Sequence, residues 1–170
     1  FRSFGTTTTL HDPDTAEQER AIDVMAVAPL VLGAAAASAM RARGEGRIIN
    51  VASLSAWITQ GGYSAVKAYA KVWSEGLAGE LAGSGVTVTA LCPGWVRTEF
   101  HQRAGLSGRG IPDWVWVDAA RCVRECLEHA DARRVLSIPT RRWKAAAFAL
   151  QHAPRPLVHA IGRRMATMRP

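Results

Sequence analysis

Arg47-Ile-Ile-Asn-Val-Ala-Ser53, followed by Tyr63-Ser-Ala-Val-Lys67, is the stretch on which the reading of this chain turns. The first run is short and apolar and stands behind the glycine turn Gly44-Glu-Gly46, which predicts a buried parallel strand over 47–52. The second run leads a helical pattern over 62–82 that is closed by Gly83-Ser-Gly85. Val86-Thr-Val-Thr-Ala-Leu91 is rich in β-branched residues and predicts the next strand, stopped by Pro93-Gly94. Strand, helix, strand makes one βαβ unit, whose crossover is expected to be right-handed. Ligands of open parallel sheets bind outside the carboxyl ends of the strands. Ser53 ends the first strand, Pro93-Gly94 ends the next, and Tyr63 and Lys67 begin the helix between them. Three separate segments are therefore predicted to meet at one crevice.

A tyrosine and a lysine four residues apart share one face of a helix. An ammonium so placed lowers the pKa of a phenol, ordinarily about 10. Such a phenol passes a proton to or from a carbonyl oxygen near neutral pH. The pair alone occurs by chance on many amphipathic helices. Ser53 and Pro93-Gly94 on the flanking strand ends are what give it meaning.

Upstream, His11-Asp-Pro-Asp14 predicts a helix start, with Asp14 and Glu17 as a capping-box-like pair. The helix is expected over 15–43, kinked or broken at Pro29 because an interior proline removes a donor and clashes one turn back. Its uncharged part, Val24 to Met40, reads as a buried helix, and the small residues from Gly33 to Ala39 let another helix approach closely. Downstream, a loop is expected from Trp95 to Pro112, a helix over 117–129 and a third strand over 134–138. Residues 141–168 predict two short amphipathic helices broken around Pro154 and Pro156. The fold class is α/β: the carboxyl-terminal part of a doubly wound, Rossmann-like parallel sheet of about three strands, with helices on both faces. Residues 1–140 form that portion and 141–170 a basic amphipathic tail. Trp57 and Trp95 flank the crevice, as an apolar pocket wall or as packing. Trp114 and Trp116 form a lid or are partly buried against the body, Asp113 belongs to a turn and Asp118 caps a helix.

At 170 residues and 48% hydrophobic composition, one domain with a real core is expected. The tail holds seven of the 21 basic residues and none of the 14 acidic ones, so it carries the whole +7 charge and the body is neutral. By charge the body is not a nucleic-acid binder; only the tail is drawn to phosphates, lipid or nucleic acid, which allows a peripheral membrane contact, or its apolar face packs over the sheet and the arginines stay in water. Cys92, Cys122 and Cys126 suit a reducing compartment, hence the cytoplasm, and Cys122 and Cys126 read as helix-packing thiols. The five histidines have no metal-like spacing, and no metal site is expected. No signal peptide is visible. The chain starts at Phe1, so it was cut or is part of a longer gene product.

Ile48-Ile-Asn-Val-Ala-Ser53, Tyr63-Ser-Ala-Val-Lys67 and Leu91-Cys-Pro-Gly-Trp-Val-Arg-Thr98, in this order and spacing, resemble the short-chain dehydrogenase/reductase family over about residues 4–139. The resemblance implies hydride transfer between a nicotinamide cofactor, NAD or NADP, and a small apolar alcohol/carbonyl substrate. It assigns Ser53 to the substrate carbonyl, Tyr63 to proton transfer, and Lys67 to the tyrosine pKa and the nicotinamide ribose. The backbone around Pro93, Gly94 and Val96, with the Thr98 hydroxyl, would hold the nicotinamide carboxamide and a neighbouring phosphate. Ser55 is the poorer serine candidate. The family's glycine-rich phosphate loop is not in this sequence, so cofactor binding by this chain alone is expected to be weak or absent. Met25 stands where the family has an asparagine in a proton relay, and a thioether cannot replace an amide there. The resemblance also implies a homo-oligomer through helices 15–43 and 62–82. A non-catalytic remnant or dimerisation module therefore stands as the alternative to an oxidoreductase.

Overall fold

The computed structural model describes residues 8–98 and 112–166. The apolar run after Gly44 forms strand β1 (Gly46–Val51), and Val86–Leu91 forms β2, paired in parallel from Gly46↔Val86 to Val51↔Leu91. Both strands begin at glycines for a steric reason. Gly44 ends the preceding helix at φ 81°, and a Cβ on Gly85 would fall 1.8 Å from the Gly44 carbonyl oxygen. A third strand, β5 (Leu136–Ser137), pairs in parallel with β2, so the sheet order is β1-β2-β5.

One face of the sheet is covered by helices α2 (Ala28–Arg43) and α3 (Gly61–Glu80), which follow α1 (Ala16–Ile22) and precede β2 respectively. Ala37, Ile48, Leu81, Val86 and Val88 form the core there. Of the small residues of α2, Gly33 takes the Trp73 ring, where a Cβ would be 2.3 Å from it, while Ala34, Ala35, Ser38 and Ala39 stay exposed. The other face carries α4 (Ala119–Asp131), whose Cys122 and Cys126 are buried with Leu91 and Val117. Asp118 caps α4 as predicted, accepting the Arg121 N–H at 2.9 Å. Helices thus stand on both faces of a three-stranded parallel sheet, as the sequence pattern predicts.

Pro29 does not end the long helix, but the α pattern is broken just before it, as expected. A π-helical stretch, Asp23–Val27, absorbs the disturbance between α1 and α2, and the Ala28 N–H reaches back five residues to the Asp23 carbonyl. A proline at 29 supplies no N–H to the Met25 carbonyl and crowds it; widening the turn relieves that clash.

Four expectations need correction. Asp14 and Glu17 do not form a capping box: Asp14 Oδ1 accepts the Ala16 N–H at 3.1 Å, while Glu17 accepts the Thr8 N–H at 2.7 Å. The lead-in loop competes for the glutamate. The Val24–Met40 stretch is not a buried helix, because Val27, Leu30, Val31 and Leu32 are exposed. The Trp95–Pro112 loop contains a strand, β3 (Val96–Arg97), paired with β4 (Val117–Asp118). Two-residue strands leave no periodicity to read. Trp114 is 69% exposed, whereas Trp116 packs edge-on against Trp95 at 5.5 Å.

The tail forms α5 (Arg141–His152) and α6 (Arg155–Ala166), separated at Ala153-Pro154. Ala147 and Val158 are buried against the body. Thr140 N–H donates to Glu125 Oε2 at 2.7 Å, and Lys144 Nζ lies 3.2 Å from His129 Nε2, which ties α5 to α4.

Candidate active site

β1 ends at Val51, and the chain turns at Ser53 into a 3-10 turn, Leu54–Trp57. The Ser53 hydroxyl accepts the Ser55 N–H at 3.1 Å and donates to the Ser55 hydroxyl at 3.1 Å. That pair shapes the turn and fixes where the Ser53 oxygen sits. The Leu54 N–H donates to the Pro93 carbonyl at 3.0 Å, so the exits of β1 and β2 are joined directly.

α3 starts beside this junction. Its first turn is set by the Ser64 hydroxyl, which accepts the Gln60 N–H at 3.0 Å. Gly62 lies under the Gln18 side chain of α1, where a Cβ would be 1.9 Å from Oε1. Lys67 is only 4% exposed, and its ammonium donates to the Val51 carbonyl at 2.9 Å. The same nitrogen stands 5.6 Å from the centroid of the Tyr63 ring. Burial pushes the Lys67 pKa from 10.5 down to about 8, opposed by the nearby Cys92. Burial also pushes the Cys92 thiol up to about 12, so it stays neutral beneath the site. Tyr63 is half-buried, and Ala21, Met25 and Val66 form the apolar cluster against it.

The structure therefore brings Ser53, Tyr63, Lys67 and Pro93 to one sheet end. Gly94 follows Pro93 and is covered by the indole of Trp143, which a Cβ there would approach to 2.1 Å. Val96 lies in β3, packed on the cluster of Leu91, Val117, Cys122 and Cys126. Thr98 follows β3 and is exposed. Trp57 packs against Ala52, Ala70, Ala90 and Cys92 under Lys71, so it is a core residue rather than a free wall.

Trp143 is the neighbour of the site that sequence reasoning missed. It begins a helix far along the chain, and nothing local to it points at Gly94. α5 also packs against the 3-10 turn after Ser53, and Gly162 of α6 meets Thr59, where a Cβ would be 2.7 Å from the carbonyl oxygen. The tail thus braces both loops of the junction. A cleft of about 380 Å³ opens at the opposite end of the sheet, by Gly46 and Gly85, and contains none of these residues.

Comparison with known proteins points the same way. Residues 4–106 match the short chain dehydrogenase family. The acetoacetyl-CoA reductase of Rhizobium meliloti is 46% identical over 65 residues, which is 36% of this chain and 27% of that protein. A short-chain dehydrogenase from Sphingobium yanoikuyae, solved in complex with NADPH, is 29% identical with a TM-score of 0.77, covering 92% of this chain and 61% of that one. The bulky-bulky ketone specific alcohol dehydrogenase of Comamonas testosteroni is 25% identical with a TM-score of 0.68, covering 89% and 59%. The chain spans about three fifths of the length of these solved relatives and about a quarter of the curated one. With its family match running through the β1 exit, the Tyr63–Lys67 turn and the β2 exit, this chain belongs to the short chain dehydrogenase family.

Proposed function

We propose that this chain is the carboxyl-terminal, catalytic portion of an NAD(P)-dependent oxidoreductase acting on an alcohol/carbonyl pair. The observation that carries this reading is the buried Lys67, hydrogen-bonded to the β1 exit two residues before Ser53 and standing beside the Tyr63 ring. The Ser53 hydroxyl donates to the substrate carbonyl oxygen and orients it. The Tyr63 hydroxyl gives that oxygen its proton in reduction and takes it back in oxidation. The Lys67 ammonium favours the phenolate through its positive charge and would hold a nicotinamide ribose hydroxyl. With a pKa of about 8 it still carries that charge at neutral pH.

The residues fit the nicotinamide end of a cofactor. The backbone of the Pro93–Gly94 turn, with Trp143 on the side-chain face of Gly94, would hold the carboxamide together with Val96 and the exposed Thr98. They do not fit the pyrophosphate end. Among the described residues, β1 exits into a 3-10 turn and β2 into β3, and neither runs through a glycine-rich loop into a helix. The bound cofactor supplies the hydride; this chain alone binds it weakly or not at all. Three free, buried cysteines support a reducing compartment, the cytoplasm.

The second reading is an oligomerisation module, and two observations bear on it. Val31 of α2 and Val72 of α3 are 59% and 61% exposed on adjacent helices. A homo-oligomer through this face suits either reading. Met25, buried where the resemblance has an asparagine, favours the module as well.

The test is an assay of the longest in-frame product that contains this chain, with NADPH, acetoacetyl-CoA and a bulky ketone. The reading expects turnover of at least one of them. A product that binds NADPH, forms an oligomer and reduces no ketone would establish the module instead.

A further inference from the structure

From the outer surface of α5 and α6 we infer a docking site for an anionic membrane surface. The inner faces of these helices are used up. Ala147 and Val158 are buried, and Gly162 packs against the Thr59 backbone. What remains outward is basic: Arg141, Arg155, Arg163 and Arg164 are exposed, as are Arg142, which also donates to the Trp116 carbonyl, and Lys144, which also meets His129. Among them stand two large apolar residues, Phe148 at 65% and Leu157 at 53% exposure.

Charge complementarity selects the occupant. Residues 1–140 are neutral, so the tail's field is the protein's whole +7 excess and is confined to one part of the chain. Phosphate headgroups meet the arginines, and the acyl boundary takes Phe148 and Leu157. A nucleic-acid backbone would satisfy the same cations and leave both apolar side chains in water, so the bilayer surface uses more of what is displayed. The helices lie on the interface rather than crossing it, because their other faces are committed to the protein. Truncating the tail is a poor test, since it would strip Val158 and Ala147 from the core. Substitutions on the exposed face leave the fold intact.

The experiment is co-sedimentation of the full 170-residue chain with phosphatidylcholine vesicles, with and without phosphatidylserine, at low and physiological salt. The chain is expected to sediment with the phosphatidylserine vesicles and to be released by salt. Arg155→Gln with Arg163→Gln should weaken partitioning roughly thirtyfold, from two lost headgroup attractions. Phe148→Ser with Leu157→Ser should weaken it roughly tenfold or more at unchanged circular dichroism. Three results would overturn the inference: no sedimentation; equal sedimentation with both vesicle types, indifferent to the tail variants, which would assign contact to the apolar face of α2; or duplex DNA binding that F148S/L157S leaves unchanged, without any vesicle preference.

Discussion

Lys67 keeps its ammonium 2.9 Å from the Val51 carbonyl with almost no access to water, and its charge is held there at a cost. Its pKa lies near 8 in the folded chain and at about 10.4 when unfolded. Between those values the unfolded chain binds more protons, so stability rises with pH across that window. The full relief amounts to about 3 kcal/mol by linkage. Lys67→Met removes the buried charge. The variant should be the more stable protein at pH 7, and the parent should close the gap as pH rises from about 8 to 10.4. Urea unfolding of both across that range checks it; a constant difference would mean that burial does not depress the Lys67 pKa. On the proposed role of Lys67, turnover should fall as pH passes through 8, where the ammonium loses its proton. Tyr63 and Lys67 were legible in the sequence because four residues of helix fix their relation whatever surrounds them. The carbonyl partner of Lys67 was not, since it comes from a strand sixteen residues earlier.

Among the elements, β1, α3 and β2 could be read within one or two residues, since each is a long segment with its own period and a glycine or proline at its end. β3 and β4 could not, because their pairing joins residues about twenty apart through two positions each. The long first helix was legible in extent but not in surface. An uncharged alanine-rich stretch looks the same whether it is buried by its own chain or left open for another. The tail was legible as two helices, yet its attachment to the site was not. That attachment is measurable at Gly94. Gly94→Ala sets a Cβ against the Trp143 indole and should cost about 1–3 kcal/mol. In a Trp143→Ala background the cost should fall below about 1 kcal/mol, because the obstacle is gone. Thermal or urea unfolding of the four proteins gives the coupling; the same cost in both backgrounds would show that the indole does not confine the loop.

At the scale of the whole molecule, three surfaces stand open. The outer edge of β1 is unpaired by any strand among the described residues. The apolar face of α2 and α3 is uncovered, and the basic residues of the tail are exposed. The first two favour association. Sedimentation velocity should show the chain as a dimer or larger, and Val31→Glu with Val72→Glu should shift it toward monomer without loss of helix. A monomeric parent would remove this face as an interface. The family match and the fold likeness explain the common layout of β1, α3 and β2. Among the described residues no strand runs through a glycine-rich loop into a helix that could hold the far half of a dinucleotide, and the chemistry is proposed for the longest product that carries this chain. The most direct measurement is the turnover of that product with Tyr63→Phe, under saturating NADPH and ketone. The substitution removes one hydroxyl and keeps the ring against Met25 and Val66. The account expects turnover to fall by about 10²–10⁴-fold at unchanged stability, the contribution of a positioned proton donor. Turnover within roughly twofold of the parent would contradict it, because a donor worth that much cannot be lost unnoticed.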